Sequence, residues 1–469
     1  MKQFLRNLKG ITVLLVLLVI ALLVGLFIQQ RRSQEKLSVA AGENKYALAR
    51  RYSRAGNILS SDGVLLAHND KQERKYADDP ELARACLHLI GDYTHRINSG
   101  IESVYMPELL GSSRSFLDQL LLDIRGKGFG GNDLVLTADS RLMLYADKLL
   151  GKYQGSVVLL NYRTGDVLAL VNSPRLYPRD VIEWKNIVDG SLFNRALYGR
   201  YLPGSTFKIV ATAAMLEDSD FDREEIVSCK GAKPIVPAGA KEILTPKGHG
   251  KVSLQKAFPL SCNAYYGLQA IGLGSDRLTT YAEKFGYNQD LYMDRYKIAG
   301  GSMTLTEPGT GALSWAGIGQ PIGQDKITIS PLHMAAIAGA IANDGLMMKP
   351  HIIKQEIDIN GTIKNERKVE EYFQCCEVET AIEIQKLMLD TVKKGTGKKA
   401  RHKGLSIAGK TGTAEMINAE GKKQTNYLFN GYLMSDTHPL AISVVLEKEG
   451  NASQLAGKIL AYAATLDLP

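Results

Sequence analysis

Hydrophobic and polar positions alternate in distinct ways along the chain. Residues 11–28 form an unbroken, uncharged aliphatic run, long enough to cross a bilayer as one helix. Residues 31–53 are charged, with apolar positions at helical spacing, and predict a stalk. From residue 54 the apolar clusters shorten. Asn57-Ile58-Leu59 and Val64-Leu65-Leu66 flank Ser61-Asp62-Gly63, which predicts a hairpin. Beyond Asn132 the elements lengthen. Residues 133–139 read as a strand, 140–153 as an amphipathic helix, and 155–173 as a hairpin turning at Arg163-Thr164-Gly165-Asp166. Residues 208–218 and 329–344 predict helices with wide apolar faces. Strand patterns return at 405–413, 426–435 and 439–449, and a helical pattern at 452–466 closes the series. A sheet assembled from both ends of this region, with helices inserted between, is an α+β plan. The expected divisions are 1–30 for tail and anchor, 31–131 for stalk and small mixed domain, and 132–469 for the main domain.

Composition narrows the class. The 469 residues are 45% hydrophobic and 23% charged, which excludes wholesale disorder. The formal charge is +8, but the basic residues are scattered apart from Lys393-Lys394 and Lys398-Lys399. No nucleic-acid motif accompanies them, so no nucleic-acid partner is expected; anionic lipid or wall polymer suits such a charge equally well. Lys2, Arg6 and Lys9 precede the apolar run and Arg31, Arg32 and Lys36 follow it, so flanking charge does not fix its orientation. The run is longer than a usual cleaved signal, which favours an uncleaved anchor, although small residues at Ser38–Ala41 would permit cleavage. Five cysteines, an odd number with no CxxC pair, predict neither a disulfide framework nor a zinc site; five free thiols are expected.

Three short motifs carry chemistry. Ser205-Thr206-Phe207-Lys208 follows Pro203-Gly204 and opens a predicted helix, on which residues three apart share a face. A serine hydroxyl needs a nearby base to act as a nucleophile, and a lysine desolvated by Phe207, Ile209 and Val210 could serve. The spacing alone is weak, because Ser33–Lys36 and Ser253–Lys256 repeat it, and an isolated instance usually means an N-cap serine and a surface lysine. Ser261-Cys262-Asn263 is the single SxN in the chain. In an extended loop its first and third residues face one way, so that Ser261 could relay a proton and Asn263 bind a carbonyl. Lys410-Thr411-Gly412-Thr413 ends a predicted strand. Gly412 allows another backbone to approach, and Lys410 supplies positive charge.

The order SxxK, SxN, KTG is the signature of penicillin-binding proteins and serine β-lactamases. The chain resembles the class B penicillin-binding proteins, monofunctional D,D-transpeptidases, over nearly its whole length. The likeness extends through Asn194-Arg195-Ala196, Tyr201-Leu202, His249-Gly250, Val252-Ser253-Leu254, Ile322-Gly323-Gln324, Ser330-Pro331-Leu332, Ile341 to Gly345 and Lys393 to Gly397. Upstream, Arg54 to Leu59 with Asp62-Gly63, and Gly100-Ile101-Glu102 with Tyr105 and Leu109, resemble the family's pedestal motifs. The resemblance implies a transpeptidase domain over 132–469, with an antiparallel sheet and a helical subdomain. It would stand on a small dimerisation-like pedestal over 31–131. A bifunctional enzyme is not implied, because the pedestal leaves no room for a glycosyltransferase domain.

The resemblance also implies a mechanism. Ser205 would attack the D-Ala-D-Ala bond of a stem peptide with Lys208 as base, and D-Ala would leave protonated through Ser261 and Lys410. Asn263 completes the catalytic set; Thr411, Gly412 and Thr413 would bind substrate, and the Ser205 and Thr413 N–H groups would hold the oxyanion. An amine from a second stem peptide then resolves the acyl-enzyme. No cofactor or metal is implied. β-Lactams would acylate Ser205, and a membrane glycosyltransferase of the SEDS type is the implied partner. The catalytic domain would lie on the extracytoplasmic side of the cell membrane. A β-lactamase, a D,D-carboxypeptidase, and a non-enzymatic β-lactam sensor or scaffold of a wall-synthesis complex are the competing readings.

Overall fold

The computed structural model describes residues 2–40, 51–71, 73–112, 114, 124, 130–242, 245–306, 309–417 and 423–468. Within the expected stalk and pedestal, residues 41–50, 72, 113, 115–123 and 125–129 lie outside the described residues.

One helix, Lys2–Ala40, contains the apolar run. Its segment Lys9–Ile28 has a mean hydropathy of 3.4 and is exposed among the described residues. Twenty residues at 1.5 Å each span about 30 Å, the thickness of a bilayer's hydrocarbon core. The helix fits a single-pass membrane protein.

The main domain is built on a five-stranded antiparallel sheet. Its order is Ile407–Ile417, Lys423–Leu433, Leu440–Glu447, Gln154–Asn161, Val167–Ser173. Two early strands therefore pair with three late ones, as the pattern of apolar runs predicts. The early hairpin turns where expected: Gly165 adopts φ +79° and its N–H donates to Asn161 O at 2.8 Å. Seven consecutive residues of Leu440–Glu447 are buried, so both faces of the sheet are covered. Each buried Leu, Ile or Val contributes about 1.5–3 kcal/mol.

Pro331–Ala342 packs on one face, started by the Ser330 side chain accepting from the His333 N–H. Gly339 brings this helix against Tyr162, Leu160 and Ala441; a Cβ there would lie 3.0 Å from that of Tyr162. Ser140–Leu150 and Ala452–Ala463 cover the sheet as well, joined by Tyr145 stacked on Tyr462 at 4.1 Å. A helical subdomain holds Lys208–Leu216, Leu254–Leu260, Asn263–Lys284 and Val378–Lys393.

The second sheet departs from the expected divisions. Its order is Ile363–Glu366, Ile353–Ile357, Asp133–Leu136, Ile58–Leu59, Leu65–Asp70, Glu73–Tyr76. The expected boundary at 131/132 thus falls inside a sheet that takes three strands from each side. So short a pedestal cannot bury a sheet face unaided, and the main chain supplies the missing strands. The expected hairpin is present: Ser60 N–H donates to Val64 O at 2.9 Å, with Gly63 at φ +81°. Asp62 in its turn accepts from the N–H and Oγ of Ser140, at 2.9 and 2.6 Å, tying the pedestal to the start of a main-domain helix. Behind the sheet Glu102 and Arg74 form a fully buried ion pair at 2.6 Å, and Tyr76 Oη donates to the same carboxylate at 2.7 Å.

Candidate active site

Ser205 lies in a short 3-10 turn, Gly204–Phe207, that runs directly into the helix Lys208–Leu216. Gly204 makes the turn possible. It adopts φ +51°, and a Cβ there would sit 2.6 Å from Thr413 O. The serine turn therefore rests against the strand that carries the KTGT motif. Lys208 follows one turn later, as helical spacing predicts, and is completely buried.

Three acceptors surround the Lys208 ammonium. Its Nζ donates to Ser261 O at 2.8 Å, Ser261 Oγ at 3.2 Å and Asn263 Oδ1 at 2.8 Å. The backbone explains how both ends of SxN reach it. Ser261 caps Leu254–Leu260 in the left-handed region at φ +57°, Cys262 is extended, and Asn263 starts the next helix. A non-glycine residue in that region carries local strain, a recurrent feature of functional sites. Burial lowers the Lys208 pKa to about 8, against the opposing pull of Glu242.

Ser205, Ser261, Asn263, Thr411, Gly412 and Thr413 line one cleft of about 330 Å³. Lys208 and Lys410 are fully buried and sit behind its lining. Burial first, and repulsion from Lys208 second, push the Lys410 pKa well below the ordinary lysine range. Its Nζ donates to Thr411 O at 3.2 Å and lies 5.7 Å from the centre of the Phe258 ring. The expected close backbone approach at Gly412 comes from within the chain: a Cβ there would lie 3.0 Å from Pro203 O.

The strand Ile407–Ile417 is an edge strand, hydrogen-bonded to Lys423–Leu433 on one side only. Thr396 ties it to the SxN loop. The Thr396 N–H donates to Pro259 O at 3.0 Å, and its hydroxyl lies 2.6 Å from that of Thr411. The other SxxK of the folded region stays out of the site: Ser253 precedes Leu254–Leu260, and the exposed Lys256 donates to Lys251 O at 3.0 Å.

Residue-by-residue reading missed Glu242 and Gln320, which also line the cleft. Glu242 accepts from the N–H of Asn263 at 2.6 Å and of Ala264 at 3.3 Å. Burial raises its pKa, but His249, Lys208 and the Asn263 N–H outweigh that and hold it at about 2. All five cysteines are free thiols, as expected. The fold gathers ligand atoms of Cys229, Glu242, His249 and Cys262 within 4.8 Å of one another.

Residues 155–464 match the penicillin-binding protein transpeptidase domain. Among curated proteins, the peptidoglycan D,D-transpeptidase MrdA of Acinetobacter baumannii is 30% identical over 71% of this chain, which spans 54% of that relative's length. The peptidoglycan D,D-transpeptidase PbpA of Mycobacterium tuberculosis is 26% identical over 97% of this chain and 96% of its own. Among solved structures, a D,D-transpeptidase domain from Eggerthella lenta superposes with a TM-score of 0.74 at 27% identity, covering 87% of this chain and 97% of that one. The penicillin G acyl-enzyme complex of M. tuberculosis penicillin-binding protein A gives 0.75 at 25% identity, covering 88% and 100%. The chain belongs to the penicillin-binding protein transpeptidases, in their class B branch.

Proposed function

We propose that the protein is a peptidoglycan D,D-transpeptidase that cross-links stem peptides through an acyl-enzyme on Ser205. The observation that carries this reading is the buried Lys208. It lies three residues from a cleft-lining serine, has a pKa lowered to about 8, and is bound to both ends of the SxN motif. A lysine so desolvated has a substantial neutral fraction near physiological pH and can take the Ser205 proton as the hydroxyl attacks the D-Ala-D-Ala carbonyl. The N–H groups of Ser205 and Thr413 receive the oxyanion. Ser261 passes a proton to the leaving D-Ala, and Asn263 orients the peptide. The edge strand accepts the peptide backbone by strand addition, with Thr411, Gly412 and Thr413 along its length. Lys410 sits behind the lining, so contact with the terminal carboxylate falls to the threonine hydroxyls, Thr413 above all, while Lys410 acts on the field and the proton path.

Incoming amine from a second stem peptide completes the transfer. β-Lactams are the expected covalent inhibitors. On this reading the catalytic domain works on the outer side of the cell membrane, where the wall is made, and a membrane glycosyltransferase of the SEDS type supplies the glycan strand. Residues 31–131 serve as the pedestal and 132–469 as the transpeptidase domain, the latter lending three strands to the pedestal sheet.

Labelling with a fluorescent penicillin tests the nucleophile: the wild-type chain labels and Ser205→Ala does not. Label retained in the variant sinks the assignment. Polymerised glycan with a marked acceptor amine then tests the transfer. Release of D-Ala without amine incorporation makes the enzyme a carboxypeptidase.

A further inference from the structure

The lining of the catalytic cleft carries two carboxylates, Glu242 and Glu415, and no basic side chain among the described residues. The lysines of the two motifs, Lys208 and Lys410, lie buried behind it. Glu242 is committed, because it accepts from the N–H groups of Asn263 and Ala264. Glu415 is not. Its main chain is fixed: it pairs with Thr425 across the sheet, and Gln320 Nε2 donates to Glu415 O at 3.3 Å. Its half-buried side chain takes no hydrogen bond or ion pair among the described residues. A carboxylate held on a substrate cleft without a counter-charge favours a cationic group on whatever fills the cleft.

Strand geometry indicates which group. In Ile407–Ile417 the side chains of Lys410 and Ala414 turn inward and are buried, whereas Thr411, Thr413 and Glu415 face the cleft. On the transpeptidase reading, the threonines take the terminal carboxylate of the donor and the Thr413 N–H holds the carbonyl under attack. The donor therefore lies antiparallel to this edge strand, with its C-terminus toward Thr411 and its upstream residues toward Glu415. Glu415 stands two residues beyond Thr413, about 6.6–6.8 Å along the strand. The residue before the D-Ala-D-Ala pair, third in the stem, lies about 3.3 Å beyond its neighbour in the same direction. A long side chain ending in an amine spans what remains.

We propose that Glu415 is a specificity-determining residue that pairs with a free ammonium on the third residue of the donor stem. The enzyme then selects donors whose third residue is a diamino acid with its side-chain amine uncapped. An amine already acylated by an earlier transfer is neutral, so such a stem becomes the poorer donor. Glu415 contacts the donor away from the carbonyl under attack and takes no part in the proton path. This assignment rests on the transpeptidase reading and deepens it.

The full chain in detergent micelles provides the test. Two stem pentapeptides ending in D-Ala-D-Ala are compared, identical except that the third-residue lysine is free in one and Nε-acetylated in the other. The first readout is the concentration of each that halves the rate of labelling by fluorescent penicillin; the second is kcat/KM for D-Ala release. The free amine should improve both by about three- to tenfold, and in turnover chiefly through KM. Glu415→Gln should bring the ratio close to one, and Glu415→Lys should invert it. Each ratio is taken within one variant, so a general loss of activity cancels. A wild-type ratio near one, protection by neither peptide, or a preference that survives in Glu415→Gln overturns the proposal. So do variants that alter incorporation of a marked acceptor amine and leave the donor ratio alone, which would put Glu415 on the acceptor side. A chain that takes no penicillin on Ser205 sinks the transpeptidase reading; a chain that labels and releases D-Ala but ignores the third residue sinks the role of Glu415 alone.

Discussion

Lys208 has three oxygen partners within 3.2 Å and no exposed surface, and its acid–base behaviour follows from the balance between them. Its pKa of about 8 sets the sign of the pH dependence. Only the neutral amine accepts a proton, so acylation should rise with pH up to about 8 and level off above it. Below that midpoint the rate should fall about tenfold per pH unit; a profile flat from pH 6 to 9 would exclude Lys208 as the base. Asn263→Asp provides a second reading of the same balance. A carboxylate in place of an amide oxygen now 2.8 Å from Nζ favours the ammonium. The midpoint should move up by about 1–3 units, measured by penicillin acylation against pH. Sequence singled out Ser205, Lys208, Ser261, Asn263 and the KTGT strand by the order and context of three short motifs, and the fold gathers them at one cleft. Sequence did not disclose that Lys410 sits behind the cleft lining, because alternation along a strand reports a face and not what covers it. Nor did it disclose Glu242, a lone carboxylate in an irregular segment, whose role comes from contacts to Asn263 and Ala264 twenty-one or more positions away.

Among elements, the segment after Val378–Lys393 couples the two halves of the cleft. Gly395 passes directly under Pro259: a Cβ there would overlap its carbonyl. The next residue, Thr396, bonds both to Pro259 and to Thr411. Gly395→Val should push the SxN loop away from the edge strand and cost about 1–3 kcal/mol of stability. Acylation should suffer more than the melting temperature; equal, small losses in both would make the segment a passive connection. Strands and amphipathic helices of the main domain were readable from their periods of two and 3.6, and the early hairpin turned at the expected residues. Strand partners were less readable. Asp133–Leu136 looks the same whether it opens the main sheet or, as here, pairs parallel to Ile58–Leu59 in the pedestal. The cluster of Cys229, Glu242, His249 and Cys262 escaped for a similar reason: its members are 13, 7 and 13 positions apart, and only the fold makes them neighbours.

At the scale of the whole molecule, the six-stranded sheet is backed by a buried charge pair. Arg74 and Glu102 are inaccessible to water, and Tyr76 shares the carboxylate. Glu102→Ala leaves the guanidinium buried without its counter-charge, at a cost of about 3–5 kcal/mol. The loss should appear as a lower melting temperature; a shift no larger than that of a surface Glu→Ala would show the pair to be unimportant. Two buried histidines add an acid limit. Burial lowers His88 and His333 to about 4. Their unfolded counterparts titrate near 6.5, so the unfolded state binds more protons between pH 6.5 and 4. Stability should therefore decline across that window as pH falls, by up to about 1.4 kcal/mol per unit for each histidine. Denaturant titration at both ends of the window checks the slope.

The central sheet also imposes an order of events. Leu440–Glu447 lies between Lys423–Leu433 and Gln154–Asn161, so the early hairpin has no partner until the last strand arrives. A chain synthesised N-terminus first exposes that apolar hairpin throughout the synthesis of the helical subdomain, an interval that favours aggregation or chaperone capture. Ser205 rests against Ile407–Ile417, which is itself held by the late strands, so the nucleophile's surroundings exist only after that delay. In a pulse-chase experiment, penicillin labelling should lag behind completion of the polypeptide. Newly made chains would then pass through a brief period in which they are present in the membrane but invisible to the drug.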